Sequence, residues 1–178
     1  SPSRGLGDVY KRQELSGSRG ALDWNLGYAY NNSELTSDIY SPATVPVLYA
    51  EKGAQLPGSP EQTLNINLAH TSYLSSGLGL VNRMDMYYQS ETTNFIGVND
   101  SFTATFSSFS IINASSTIFA DNYYISLFVK NIANERGVTG AFLNQGFGSD
   151  PSQGFYGDNR REFFALPRTI GLSLNRSF

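Results

Sequence analysis

The chain has 178 residues, with 12 Lys and Arg against 15 Asp and Glu, a net charge of −3 and no cysteine. That length suits one ordinary domain, the acidic balance argues against a nucleic-acid partner, and the lack of cysteine removes disulfides and thiolate metal sites. Charged residues make up only 15%, below the roughly 25% of soluble domains, and no apolar run approaches the ~18 residues of a membrane helix. Membrane strands are not excluded, because their signal is alternation. The 12 Phe, 11 Tyr and 17 Gly favour strands and turns over helices.

Residues 1–13, SPSRGLGDVYKRQ, hold Arg4, Lys11 and Arg12 against Asp8 and show no alternation. They resemble the translated adapter read-through found at the ends of gene fragments and are read as a non-native or unstructured leader. The alternative is a polar natural segment. Residues 14–178 are read as the folded part, with a turn around Ser16 to Gly20.

From Ala21 to Tyr30, one face carries Leu22, Trp24, Leu26, Tyr28 and Tyr30, and the other Ala21, Asp23, Asn25, Gly27 and Ala29. That period of two is a strand with one apolar side. Thr63 to His70 repeats it with Leu64, Ile66 and Leu68 against Asn65 and Asn67, and Leu78 to Tyr88 sets Met84, Met86 and Tyr88 against Arg83, Asp85 and Tyr87. Phe106 to Phe119 is strand-like with blurred faces, which points to a bulge. Tyr123 to Val129 alternates again, and the end sets Ile170, Leu172, Leu174 and Phe178 against Gly171, Ser173 and Asn175.

The fold class expected is all-β, an antiparallel up-and-down meander of about six strands. Short turns (Ser72 to Gly77, Ala120 to Asn122) alternate with long connections (about Thr36 to Pro60, Glu91 to Phe102 and Asn134 to Arg161). Consecutive antiparallel strands then place all short turns at one end and all long loops at the other, as in outer-membrane barrels. A soluble sheet needs a second layer on its apolar face; no amphipathic helix is evident, so lipid is the simpler partner. Tyr28, Tyr30, Tyr73, Tyr88 and Phe178 suit interfacial girdles. Bacterial barrels begin at about eight strands, so six strands are expected to be a fragment. The alternatives are a soluble β-sandwich binding module and a barrel of another kind, a passive channel or an outer-membrane hydrolase.

Three segments resemble the C-terminal region of TonB-dependent receptors. Gly53-Ala54-Gln55-Leu56-Pro57-Gly58-Ser59-Pro60 looks like the Gly-x-x-Leu-Pro-x-x-Pro approach to a late strand. Tyr124 to Arg136, with Val129-Lys130-Asn131-Ile132-Ala133-Asn134, looks like the penultimate strand. Leu166-Pro167-Arg168-Thr169-Ile170-Gly171-Leu172 through Phe178 looks like the Pro-Arg-x-hydrophobic-Gly-hydrophobic ending. Arg176 departs from it, standing where the family has an aromatic, and could snorkel to the interface. The resemblance implies the C-terminal part of a barrel of about 22 strands closed by a plug, in the outer membrane of a Gram-negative bacterium. It implies import of a siderophore, cobalamin or glycan driven by the TonB complex. It also implies an assembly signal at Gly171, Leu172, Leu174 and Phe178, read by the barrel assembly machinery. TonB contact would belong to a plug segment that these residues do not include.

No enzyme is expected, nor any cofactor or metal. His70, the one histidine, lies on an apolar face and reads as interfacial packing, and no Ser-His-carboxylate arrangement is apparent. Arg83 and Asp85 share the polar side and could line a solvated lumen. The long loops carry the best candidates for an extracellular small-molecule or glycan ligand: Tyr40 and Tyr49 in the first, and Phe142, Phe147, Phe155, Tyr156, Arg160 and Arg161 in the last. Flat rings give contact area at low entropic cost; loop-to-loop packing is the plainer role for them.

Overall fold

The computed structural model describes residues 6–42, 44–74, 76–97, 104–143 and 160–176. In chain order the strands are β1 (Leu6–Arg19), β2 (Leu22–Leu35), the short β3 (Ile39–Tyr40) and β4 (Leu48–Ala50), β5 (Gln62–Tyr73), β6 (Gly79–Gln89), the short β7 (Thr92–Thr93) and β8 (Thr105–Phe106), β9 (Phe109–Ala120), β10 (Tyr123–Lys130), β11 (Val138–Leu143), β12 (Arg160–Phe164) and β13 (Thr169–Arg176). There is no helix among the described residues. One seven-stranded antiparallel sheet runs β1-β2-β5-β6-β9-β10-β13, and three two-stranded hairpins rise from its long connections.

Register explains why the period of two in the sequence becomes one coherent surface. Residues directly opposite across an antiparallel pair point to the same side. Leu26 lies opposite Ile66, Ile66 opposite Met86, and Met86 opposite Ile112. Ile125 lies between Ile118 and Leu174, and Leu127 is opposite Leu172. The other side carries the row Asn25, Asn67, Asp85, Asn113. This polar side is the hollow one: a depression of about 310 Å³ is lined from it by Asp23, Asn25, Asn67, Ala69, Arg83 and Asp85.

Among the described residues no protein layer lies behind the apolar side. Among the described residues the buried apolar ones are Leu35, Ala50, Ala104, Phe106 and Phe109, all at the long-loop end. Out on the open face, Leu172 is 63% and Leu174 70% exposed. A soluble monomer rarely leaves so continuous an apolar surface uncovered. Five of the seven main strands have 11 to 14 residues, at or above the ~9–11 that cross a bilayer.

Several expectations are corrected. Residues 6–13, part of the segment read as a non-native or unstructured leader, are structured: they pair along β2 from Leu6 opposite Leu35 to Gln13 opposite Tyr28. The sheet therefore has seven strands rather than six. The alternation is invisible there because Lys11, Gln13, Gly17 and Arg19 occupy the apolar-side register with Leu15. The first turn is correspondingly tighter: Ser16 to Arg19 are strand, and the chain reverses at Gly20-Ala21, where Gly20 takes φ 62°, the left-handed conformation of two-residue hairpin turns. Finally, β9 pairs with β6 and β10 without a register shift. Its blurred pattern comes from Phe109, Ile111 and Phe119 on the polar side, where Phe109 packs on Tyr87 and Phe119 on Tyr73 and Tyr124. Tyr73 thus belongs to a polar-side aromatic cluster at the short-turn end and not to a lipid girdle. Tyr28 and Tyr88, both opposite Leu64, stay on the apolar side.

Three glycines lie opposite aromatics whose rings cover them: Gly17 under Trp24, Gly79 under Phe119 and Gly171 under Phe128. A methyl at Gly171 would collide with the Phe128 ring. Gly171→Val is expected to displace that ring and cost about 1–3 kcal/mol, as overpacking does. The check is a lower temperature for loss of the compact band of the full chain on electrophoresis in detergent; an unchanged temperature would count against it.

Candidate functional site

The long-loop end is where the chain builds a core, and its loops are ordered by backbone pairing. Gly53 to Leu56 run back along β2. Leu35 N–H donates to Ala54 O (3.0 Å), Gly53 N–H to Leu35 O (2.8 Å) and Leu56 N–H to Ser33 O (2.9 Å). Asn31 Nδ2 reaches Ser59 Oγ at 2.7 Å. The Gly-x-x-Leu-Pro segment is therefore a continuation of the β2 ladder, with Gly53 (φ 85°) and Gly58 (φ 69°) supplying left-handed turns. Gly58 N–H then donates to Thr93 O at 2.8 Å, fastening the first connection to the second. The second connection is closed by Asn94 N–H to Ala104 O (3.1 Å) and Ala104 N–H to Asn94 Oδ1 (2.6 Å).

The last connection is held by two asparagines. Asn131 is 2% exposed. Its Nδ2 donates to Glu135 O (2.9 Å) and Leu166 O (2.8 Å), and its Oδ1 accepts from Glu135 N–H (2.8 Å). Its backbone N–H donates to Asn113 Oδ1 (2.8 Å), joining it to the polar row. Asn134 Oδ1 accepts from Arg168 N–H at 3.0 Å. Both take the left-handed conformation, φ 51° and 55°, which asparagine tolerates better than other branched side chains. The segment leaving β10 is thus bound to the segment entering β13, and the β11–β12 hairpin rises between them.

Those of the residues singled out in the sequence that lie among the described residues are not gathered into one place. Tyr40 is exposed on β3, its hydroxyl 3.5 Å from Asp38. Tyr49 packs edge-on against Phe95, 5.9 Å between centroids, which is loop-to-loop contact. Asp85 accepts from Asn113 Nδ2 at 2.6 Å, and among the described residues Arg83 has no ion pair with it. Arg161 is exposed on β12 opposite Phe142. The side chains of Phe142 and Arg160, and all of Phe147, Phe155, Tyr156 and Phe178, lie outside the described residues. Gly171 faces the polar side against Phe128, whereas Leu172 and Leu174 are separated onto the open apolar face with their neighbours on β10. His70 lies on that face opposite Leu22 and Asn82. Arg176 stacks over the Tyr123 ring, 5.1 Å from its centroid, at the short-turn end, where a guanidinium reaches water.

A second hollow was not foreseen. Pro57 and Gly58 from the first connection, Thr92, Thr93, Asn94 and Phe106 from the second, and Thr139, Gly140 and Ala141 from the third line an open hollow of about 350 Å³ beside Gln89. Apart from Pro57 and Gly58, which belong to the Gly-x-x-Leu-Pro segment, none of these was singled out in the sequence, because they meet only through the hairpins that bring the three connections together. Its volume falls at the small end of the range of ligand clefts.

No protein-family model matches the chain, and no curated protein matches it. Among solved structures it is similar to the siderophore receptor PiuA from Acinetobacter baumannii, with a TM-score of 0.68 and 18% identity over 96% of this chain and 22% of that one. The chain spans about a fifth of that receptor's length. At this identity the likeness is one of architecture: an all-β antiparallel meander like part of a receptor barrel.

Proposed function

We propose that the chain is part of the barrel wall of a TonB-dependent outer-membrane receptor, which binds a scarce extracellular ligand and imports it with energy from the TonB complex. The observation that carries the reading is the unbacked apolar face of a seven-stranded meander whose connections are sorted by length. Two-residue and five-residue reversals lie at one end, after β1, β5 and β9, and the structured connections at the other. Lipid covers such a face without a second protein layer, and closure with further strands removes its two open edges. The likeness to a siderophore receptor supports the importer over other barrels.

Trp24 makes the membrane part testable, since it is the one tryptophan and sits in the apolar row. In vesicles whose acyl chains carry bromine, its fluorescence is expected to be blue-shifted and strongly quenched. A chain that is soluble without detergent and unquenched would sink the reading. For the import part, ligand uptake by cells making the complete receptor should vanish when the TonB complex is deleted; uptake that persists would mark a passive channel.

A further inference from the structure

The hollow between the three connections has a chemistry of its own. Among its described lining residues none is charged; they are threonines, amides, small residues and Phe106. Thr92 is 6% exposed, and its hydroxyl has no hydrogen-bond partner among the described residues. A buried hydroxyl without a partner is destabilising, so a threonine left in this state fits a site completed by a ligand. Gln89 is half-buried beside it. Its Oε1 accepts from the Tyr87 hydroxyl at 3.0 Å, which leaves the amide nitrogen available as a donor on a residue that lines the cavity. Thr139 Oγ1 donates to Phe163 O at 3.2 Å, so its remaining capacity toward the cavity is as an acceptor.

We infer that this hollow is a binding site for a neutral, hydroxyl-rich ligand, a mono- or disaccharide, recognised by Thr92 and Gln89. The inference rests on the importer reading and deepens it by naming the ligand class of the outer rim. An anionic metal chelate entering here would give up water without gaining a cation, a costly exchange in a partly enclosed site. A sugar offers hydroxyls that donate and accept at once, which matches a threonine hydroxyl beside an amide nitrogen. The volume of about 350 Å³ falls at the small end of ligand clefts, about 300–1,000 Å³. The site is also built: Gly58 N–H to Thr93 O (2.8 Å) and the Asn94–Ala104 pair hold its walls.

The test titrates the full chain, in detergent micelles, with maltose, lactose and N,N′-diacetylchitobiose, and with a ferric tris-catecholate as the anionic counterpart. At least one disaccharide is expected to bind saturably, with affinity unchanged between low and high salt. Thr92→Val should weaken it at least tenfold while raising the thermal midpoint, because it removes the unpartnered hydroxyl and keeps the shape. Thr92→Ser should restore binding, and Gln89→Leu should weaken it. The proposal is overturned if none of the three sugars saturates, if the catecholate competes with them, or if Thr92→Val lowers the midpoint and leaves binding intact. Trp24 quenching is read on the same protein transferred to vesicles of brominated lipid. Its loss removes the membrane reading, and the sugar titration still decides this one.

Discussion

Replacing Asn131 by alanine is expected to cost about 4 kcal/mol of folding stability, the largest loss from any single side-chain truncation in the described chain. Three side-chain hydrogen bonds disappear at a residue that is 2% exposed. Glu135 N–H and the Leu166 and Glu135 carbonyls are left in a place water reaches poorly, at about 1–3 kcal/mol for each group that finds no partner. Alanine also tolerates φ 51° less well than asparagine does. The effect should be local before it is global. With the β10 exit held to the β13 entry by Asn134 but no longer by Asn131, the connection spanning residues 131–168 becomes the first protease target. Asn134→Ala removes one bond, to Arg168 N–H, and should cost about 1 kcal/mol. Denaturant titration of the full chain in detergent gives both values, and limited proteolysis locates the opening. A loss below about 1 kcal/mol for Asn131→Ala would show that the clamp is redundant.

The second large effect separates the two faces of one strand. Leu26 sits in the apolar row with Ile66, and Asn25, its neighbour, in the polar row with Asn67. In a bilayer, Leu26→Arg is expected to cost about 2–4 kcal/mol, as a cation near the midplane of a barrel's lipid side does. Asn25→Arg should stay within about 0.5 kcal/mol, as for a solvated surface. Folding equilibria in vesicles, followed by Trp24, measure both. In a water-facing sheet both changes would be nearly neutral, so equal small costs would exclude lipid on this side.

Most of the sheet is legible in the sequence because a face that must be apolar along its whole length leaves a period of two. β2, β5, β6, β10 and β13 carry that period, and register joins their apolar residues in the rows it implies. β1 escapes notice because its apolar-side positions hold Lys11, Gln13 and Arg19; backbone pairing along β2, not side-chain pattern, makes it a strand. The site is less legible. The segment around Asn131 is recognisable as a motif, but its mechanical task depends on Leu166, distant in sequence and adjacent only after folding. Thr92 lies in a two-residue strand that exists because Thr105–Phe106 returns beside it. No local pattern marks it. The aromatic loop residues drew attention by type, yet Tyr49 spends its ring on Phe95.

The number of main strands has a topological consequence. With seven antiparallel strands, β1 and β13 point the same way, so their free edges cannot pair antiparallel with each other. Rolling this sheet into a cylinder by itself would force one parallel seam. An all-antiparallel cylinder containing it must insert an odd number of further strands between those edges. Parity thus leaves both edges of the sheet open unless a parallel seam or an odd number of further strands closes it, by an argument independent of side-chain chemistry.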